Sequence, residues 1–460
     1  MRQTCSGLSC LALLFLAFAC TPLTAQERLE GIAAARPKAS SELANYLAQP
    51  DEHYHWEVRE TTTIQNCEVL RLHLVSQRWH GIDWRHVLTL IKPPNLDTQR
   101  RDALLVIGGG DWQTTWPKNG PETVPVRGEA QLMATVANQF GCVIAIISQV
   151  PFQPMMDGKH EDEIIAATFA KFMETQDATW PLLLPMVKAA VRGMDATTAA
   201  AQEAWGVKLE DFTVTGASKR GWTTWLTGAA DPRVSSIAPM VIDMLNMGAQ
   251  MKLQVASFGD YSEQIADYTE LKLPEVLSTP RGQQLQAIVD PFAYRDQLQL
   301  PKLLIFGTND RYWPLEACNM YWDQLQGEKH LLYVPNEGHG IKDYVRVIGS
   351  VSALHRSHHG GAPLPKMDWE FTEEQAGVEL DVTTQGAIDT VRGWVALAPT
   401  RDFRDAKWEE RACRLGNDGA WTLTVGKPPA GFMACFAECV SVADATPAFF
   451  STNVRMFAAP

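Results

Sequence analysis

Phe212-Thr213-Val214-Thr215-Gly216-Ala217-Ser218-Lys219-Arg220-Gly221 is the stretch whose reading decides the fold, because an apolar β-forming run passes directly into a serine hemmed in by small residues. A strand that turns sharply into a helix holds a serine in a strained backbone only where its neighbours are small, and such a turn lifts the hydroxyl clear of the sheet. The fit is incomplete. Glycine is expected two residues after the serine, but Arg220 stands there and Gly221 follows one place later. Alone, the run also reads as an ordinary turn, so its meaning depends on whether partners for the hydroxyl follow in order.

Working outward, Ala103-Leu104-Leu105-Val106-Ile107 and Val143-Ile144-Ala145-Ile146-Ile147 are short, continuous apolar runs that predict strands buried on both faces. Residues 161 to 195 have helical spacing and lead into the serine strand. Beyond it, a helix over 221 to 229, a strand over 237 to 242, a strand over 302 to 306, a helix over 313 to 325 and a strand over 330 to 334 continue the alternation. This pattern predicts an α/β fold with a doubly wound, mostly parallel sheet and right-handed crossovers. Residues 61 to 92 alternate around Gly81-Ile82-Asp83 and predict an antiparallel hairpin ahead of it. The insertion from Asp243 to Pro301 is long for a loop and is expected to form a cap over the site. After residue 362 the texture changes to short alternating segments such as Val378-Glu379-Leu380-Asp381-Val382 and Trp421-Thr422-Leu423-Thr424-Val425. A separate C-terminal β-sandwich domain is expected over 363–460, with the main domain over 26–362 and its cap at about 243–301.

Acyl transfer at a serine needs a base for the hydroxyl proton, an acid to orient the base, and donors for the oxyanion. Lys302-Leu303-Leu304-Ile305-Phe306-Gly307-Thr308-Asn309-Asp310 is a buried strand running into a loop with a carboxylate. His330-Leu331-Leu332-Tyr333-Val334-Pro335-Asn336-Glu337-Gly338-His339-Gly340 is the next strand and loop, carrying histidine. Ser218, Asp310 and His339 therefore follow in the chain order of an α/β-hydrolase, each just past a strand. In isolation Asp310 also suits a helix N-cap and His339 a loop between glycines; Asp243 and Glu337 are competing carboxylates ranked below Asp310. Gly108-Gly109-Gly110-Asp111-Trp112 follows a strand where such folds supply one oxyanion amide, from Gly110 or Asp111; Lys219, after the serine, supplies the other. The glycine run lacks a Gly-Lys-Ser/Thr ending and dinucleotide spacing, so no nucleotide cofactor is expected. Trp112 and Trp313 are expected to line an apolar substrate pocket, and Arg220 to contact substrate.

A wider set of residues carries a family resemblance. Leu74-Val75-Ser76-Gln77-Arg78-Trp79, Trp84-Arg85-His86, the triple glycine, Thr215 through Leu226, Asp231-Pro232-Arg233-Val234, Val241 through Met247 and Val334 through Gly340 together resemble the PhoPQ-activated pathogenicity-related proteins, over roughly residues 40 to 460. The resemblance implies an exported protein of α/β-hydrolase fold in which Gly221 belongs to the family's own form of the turn. It supplies no substrate. Around the serine the chain is also similar to glucuronoyl esterases, which place a basic residue directly after the nucleophile and glycine three after it. That likeness implies a share for the Lys219 side chain in holding the oxyanion; read from the residues alone, Lys219 and Arg220 also suit facing solvent or pairing with acids on the first helical turn, and that reading ranks ahead.

The formal net charge of −13 over 460 residues, with no long basic run, argues against nucleic-acid partners and adsorption to anionic membranes. Arg2, the apolar run Leu8 to Ala19, and small residues at Ala17-Phe18-Ala19 or Leu23-Thr24-Ala25 read as a signal peptide over 1–25 that is too short to span a bilayer. A secreted or periplasmic location is expected, with no transmembrane segment after cleavage. Cys20 resembles a lipoprotein acceptor site apart from Ala17 three residues before it, so an outer-membrane lipid anchor stays open. Cys67, Cys142, Cys318, Cys413, Cys435 and Cys439 remain, and a disulfide from Cys413 to either Cys435 or Cys439 is expected. No metal is expected: these cysteines lack a fourth ligand in register, and His355-Arg356-Ser357-His358-His359 reads as a polar helix end. Glu161-Asp162-Glu163 reads as an acidic helix start that complements the dipole. The expected function is an exported serine hydrolase acting on a small-molecule, saccharide or peptide ester, with ester ahead of amide cleavage. The rivals are a serine peptidase and a secreted binding or signalling protein that keeps the scaffold without turnover.

Overall fold

The computed structural model describes residues 41–113, 128–443 and 446–460. The expected leader and Cys20 lie outside the described residues. A short helix, α1 (Glu42–Ala48), precedes an antiparallel meander of β1 (His55–Ile64), β2 (Cys67–Trp79) and β3 (Ile82–Lys92). The α/β alternation follows: β4 (Asp102–Ile107), α2 (Gly128–Phe140), β5 (Val143–Ile147), α3 (Glu161–Thr175), α4 (Leu183–Trp205), β6 (Asp211–Ala217), α5 (Lys219–Ala230) and β7 (Val234–Met240). Four helices, α6 (Met247–Phe258), α7 (Ala266–Thr269), α8 (Leu273–Val276) and α9 (Pro280–Val289), fill the expected cap insertion. The buried carboxylate of Asp290 ties its two ends, accepting from the amides of Asn246 at 3.2 Å, Met247 at 2.8 Å and Phe292 at 2.9 Å. The chain then returns through β8 (Lys302–Gly307), β9 (Lys329–Val334) and α10 (Tyr344–Ser357).

The strands lie in the order β1-β2-β3-β5-β4-β6-β7-β8-β9, and those from β5 to β9 in this order run parallel. Both faces are covered, which is why the strand sequences are continuously apolar. Leu104, Ile144 and Leu303 pack with α2 and α10. Their neighbours Leu105, Ala145 and Leu304 belong to the larger core with α4 and α5. Strand order reverses at β4, which has β5 on one side and β6 on the other. A crevice therefore opens at the carboxyl ends of β4 and β6, the usual place for a site in such a sheet.

The segment Trp313 to Leu325 departs from expectation. In place of a helix it forms two 3-10 turns, Ala317–Met320 and Trp322–Gln324. Side chains take the carbonyls a helix would use: Gln250 donates to Ala317 O at 3.0 Å, and Lys329 to Trp322 O at 2.6 Å and Leu325 O at 3.2 Å. Tertiary partners overrode the helical periodicity.

The C-terminal strands are β10 (Lys366–Glu373), β11 (Gly377–Gln385), β12 (Thr390–Ala398), β13 (Glu409–Ala412), β14 (Arg414–Leu415), β15 (Trp421–Gly426), β16 (Phe432–Ser441), β17 (Ala448–Ser451) and β18 (Arg455–Ala458). They form a sandwich, whose core includes Val378, Leu380, Val391, Leu423, Cys435 and Cys439. Only the four-stranded layer β10-β11-β15-β14 is a sheet of its own. The other layer continues the main sheet, because β17 pairs with β9 at Ser451 and Leu331. This closes what would otherwise be an open edge at β9. Helix α10 ties the layer further: Arg346 binds the fully buried Glu438 at 2.8 and 3.1 Å, and Ser350 Oγ donates to Phe449 O at 2.9 Å.

The expected disulfide is absent; all six described cysteines are free thiols. Cys435 and Cys439 point into the sandwich core from one face of β16, where burial pushes each thiol up to about 12. Cys413 packs against the same core from its edge. Among the described residues, no helix is long and apolar enough to cross a membrane.

Candidate active site

Ser218 stands between β6 and α5 with φ 59° and ψ −126°, a strained backbone for a residue bearing a Cβ. Its amide donates to Met240 O at 2.8 Å, which anchors the turn to the end of β7. The surrounding glycines are steric requirements. A Cβ on Gly216 would sit 2.8 Å from Arg220 O, and one on Gly221 would sit 2.7 Å from Ile242 Cγ2 and 2.8 Å from Met240 O. The displaced glycine is therefore the point where α5 rests on β7. Arg220 occupies the usual glycine place because its side chain runs beneath Gly109, where any Cβ would collide with the guanidinium.

His339 Nε2 lies 2.8 Å from Ser218 Oγ, and Nδ1 lies 2.8 Å from Asp310 Oδ2. The other oxygen of Asp310 accepts from the Tyr312 amide at 2.9 Å, and the Tyr312 ring lies 4.1 Å from the imidazole. Three strand ends thus bring together the three residues picked from the sequence. The arrangement can move the hydroxyl proton to the imidazole while the carboxylate fixes the ring's tautomer. Asp243, the competing carboxylate, instead accepts from the Tyr321 hydroxyl at 2.7 Å. Burial pushes its carboxyl up to about 8, with the nearby charge of Asp310 adding to the rise against the Tyr321 bond. Glu337 accepts from the Lys342 amide at 3.2 Å.

The loop after β4 is fixed by backbone bonds on either side of Gly110: Gln149 N donates to Gly109 O at 3.0 Å, and Trp112 N to Gln153 O at 2.8 Å. Gly110 itself has φ 101°, a value side-chain-bearing residues avoid, and its amide has no acceptor among the described residues. The Lys219 amide, in the first turn of α5, has no partner within its helix. These amides have the chemistry of oxyanion donors. Asp111 turns its carboxylate away, to Gln153 Nε2 at 2.9 Å and His160 Nδ1 at 3.1 Å.

The two basic side chains after the serine pair with acids, as one reading of them allowed, and the acids come from the start of α3. Arg220 binds both oxygens of Glu161 at 2.7 Å and donates from Nε to Val150 O at 2.6 Å. It braces the loops and does not line the pocket at Ser218. Lys219 Nζ lies 2.8 Å from Glu161 and 3.0 Å from Asp162, so its charge is engaged by two carboxylates. Burial alone would raise the Glu161 carboxyl, but Arg220 and then Lys219 outweigh it and hold the group down at about 2. Gln153 completes the frame: its amide group donates to Asp111 and to Glu161, each at 2.9 Å, and its oxygen accepts from the Glu161 amide at 2.9 Å. Sequence reading identifies Glu161 and Asp162 only as an acidic helix start, and misses Gln153 and the cap residue Tyr268, which donates to Asp162 at 2.9 Å. The available signal was complementary charge: an acidic pair opening α3 against a basic pair opening α5.

A pocket with an interior of about 70 Å³ adjoins Ser218 and His339. Trp313 lines it as expected, alongside Phe169, Trp222, Met247, Met251 and Leu285. Trp112 lies outside it, packed on His73 at 5.4 Å and Phe152 at 6.2 Å. At the opposite end of the sheet, Asp102, Cys142 and His355 bring three metal-ligand types together. Their atoms are already engaged: Arg100 binds Asp102 at 2.6 and 3.0 Å, and His355 lies between Asp102 at 3.0 Å and Thr213 at 2.8 Å. His355 is fully buried, which lowers its imidazole to about 4; the expected polar helix end is here an internal tether.

The loops bearing the acid and the histidine are held by the C-terminal region. Asn309 Nδ2 donates to Ala406 O at 2.7 Å and to Phe403 O and Arg404 O at 3.3 Å. Asn336 exchanges two bonds with the backbone of Trp408, at 2.8 and 3.0 Å.

Sheet order, helix placement and the strand-to-helix turn define an α/β-hydrolase fold. The chain belongs to the PhoPQ-activated pathogenicity-related protein family, whose model matches residues 43–404. Autocrine proliferation repressor protein A of Dictyostelium discoideum is 30% identical over 433 residues, spanning 87% of this chain and 85% of that protein. Among solved structures, acetyl xylan esterase 1 from Thermoanaerobacterium sp. JW/SL YS485 aligns with a TM-score of 0.47 and 14% identity, over 68% of this chain and 92% of its own. A glucuronoyl esterase from Solibacter usitatus aligns with a TM-score of 0.37 and 14% identity, over 69% of this chain and 89% of its own. No chemistry passes to this chain from either.

Proposed function

We propose that this protein is an exported serine hydrolase that cleaves carboxylic esters through an acyl-enzyme. The observation that carries the reading is His339 bridging Ser218 and Asp310, with 2.8 Å on each side. Ser218 Oγ attacks the ester carbonyl as its proton passes to His339 Nε2. Asp310 steadies the imidazolium, and the amides of Gly110 and Lys219 hold the oxyanion. His339 returns the proton to the leaving alcohol, and water then repeats the sequence to free the acid. Export rests on the apolar leader in the sequence. The test is a fluorophosphonate probe with the adduct located by mass spectrometry. Labelling at Ser218 that disappears in His339→Ala supports the reading, and a folded protein that takes no label rejects it.

A second reading is favoured by one observation, the similarity to a relative named as an autocrine proliferation repressor. On this reading the protein is a secreted signal on a hydrolase scaffold. The two part cleanly at Ser218→Ala: a signal that needs no turnover keeps its effect on cells, and an enzyme loses activity by about 10⁴-fold or more.

A further inference from the structure

The pocket beside Ser218 constrains what its substrate can be. Its interior is about 70 Å³, a narrow slot that widens only where it opens to solvent. The cap closes it with Met247, Met251, Leu273, Leu277 and Leu285, and the sheet side contributes Phe169 and Trp222. Apart from His339, the charged residues of its wall are Asp162 and Lys219, and these neutralise one another at 3.0 Å. Glu161 binds the same ammonium at 2.8 Å, and the Tyr268 hydroxyl occupies the remaining oxygen of Asp162. A charged substrate group entering here would lose its water without gaining a counter-ion, unless this network came apart. A bare sugar would bury hydroxyls against methionine and leucine.

Resting on the hydrolase reading, we infer that the site takes esters carrying an uncharged, apolar chain of several carbons next to the scissile carbonyl, and that uronate and bare sugar groups are excluded from this pocket. Such a chain displaces poorly held water from an apolar wall, and each buried methylene strengthens transition-state binding. The chain can belong to the acyl part or to the alcohol, and the assay separates the two.

With the mature wild-type protein, one arm compares p-nitrophenyl acetate, butyrate and hexanoate, and the other compares ethyl with hexyl acetate. In at least one arm kcat/KM should rise about tenfold or more with chain length. p-Nitrophenyl hemisuccinate, close to the butyrate in length but charged, should be at least about tenfold slower than the butyrate. Met251→Trp should shift the preferred chain shorter, and Met251→Ala should shift it longer. Flat or falling rates in both arms, or a hemisuccinate as good as the butyrate, overturn the inference. If Ser218 still takes the fluorophosphonate in that case, the hydrolase reading stands and only the apolar specificity fails. No labelling together with no hydrolysis removes the hydrolase reading and the inference with it.

Discussion

The two halves of the site are held in place by opposite means. On the serine side, a charged frame of Glu161, Asp162, Lys219 and Arg220, joined through Gln153, locks the turn to the loop after β4. On the acid and histidine side, Asn309 and Asn336 use neutral side-chain amides to grip the backbone of residues 403 to 408. Removing the partly exposed Glu161 carboxylate strands the nearly buried charges of Lys219 and Arg220, whereas losing an amide bond costs about 1 kcal/mol. The serine half should therefore be brittle and the histidine half tolerant, although both support the same proton path.

Four changes break or sharpen that contrast. Asp310→Asn sets the scale: on the proposed mechanism it leaves His339 in place with the wrong tautomer, and kcat/KM should fall by about 10⁴. Glu161→Gln should lower kcat by roughly 10 to 100-fold, because the brace beneath Gly109 loses its charge and the oxyanion amides shift. The same change has a pH signature. The folded carboxyl is held near 2, below its unfolded value, so its stabilising effect is present above about pH 4.5 and lost as pH falls toward 2. Melting temperatures of the glutamine variant should lack that share of the acid-side decline.

Asn309→Ala should reduce kcat by about tenfold or less, with KM nearly unchanged and stability down by about 1 to 2 kcal/mol. If it proves as damaging as Glu161→Gln, the contrast between the halves fails. The smallest effect on turnover is expected at Asp243, which lies outside the proton path and where burial keeps the carboxyl protonated up to about pH 8. The unfolded chain releases that proton near pH 4, so Asp243 makes the fold less stable as pH rises from about 4 to 8. Asp243→Asn should flatten that part of a plot of melting temperature against pH, and an unchanged slope counts against the assignment.

The serine half was legible in its steric features and only partly legible in its charges. Gly216 and Gly221 flank Ser218 because their neighbours leave no room for a Cβ, and such local sterics leave a mark in the sequence. Arg220 was expected at the substrate: acidic and basic pairs open α3 and α5, but nothing local says that these two helix starts meet. The histidine half was legible in chain order, with strand-end loops bearing Asp310 and His339. Its grip by the C-terminal region was not. Backbone carbonyls at 403, 404 and 406 accept the bonds, and any residue has a carbonyl. Similarly, nothing in Trp313 to Leu325 announced that Gln250 and Lys329 would take the carbonyls of an expected helix.

The sequence by itself determined the buried parallel strands, the strained serine turn and the order Ser218, Asp310, His339, because each follows from local apolarity, local sterics or position after a strand. Only the tertiary structure decided which charges are engaged by partners, which face of the cap lines the pocket, and that one layer of the C-terminal sandwich extends the main sheet. Those outcomes depend on pairing between groups far apart in the chain. Pairing energies are settled by distance and burial in the folded molecule, and neither is written in the neighbouring residues.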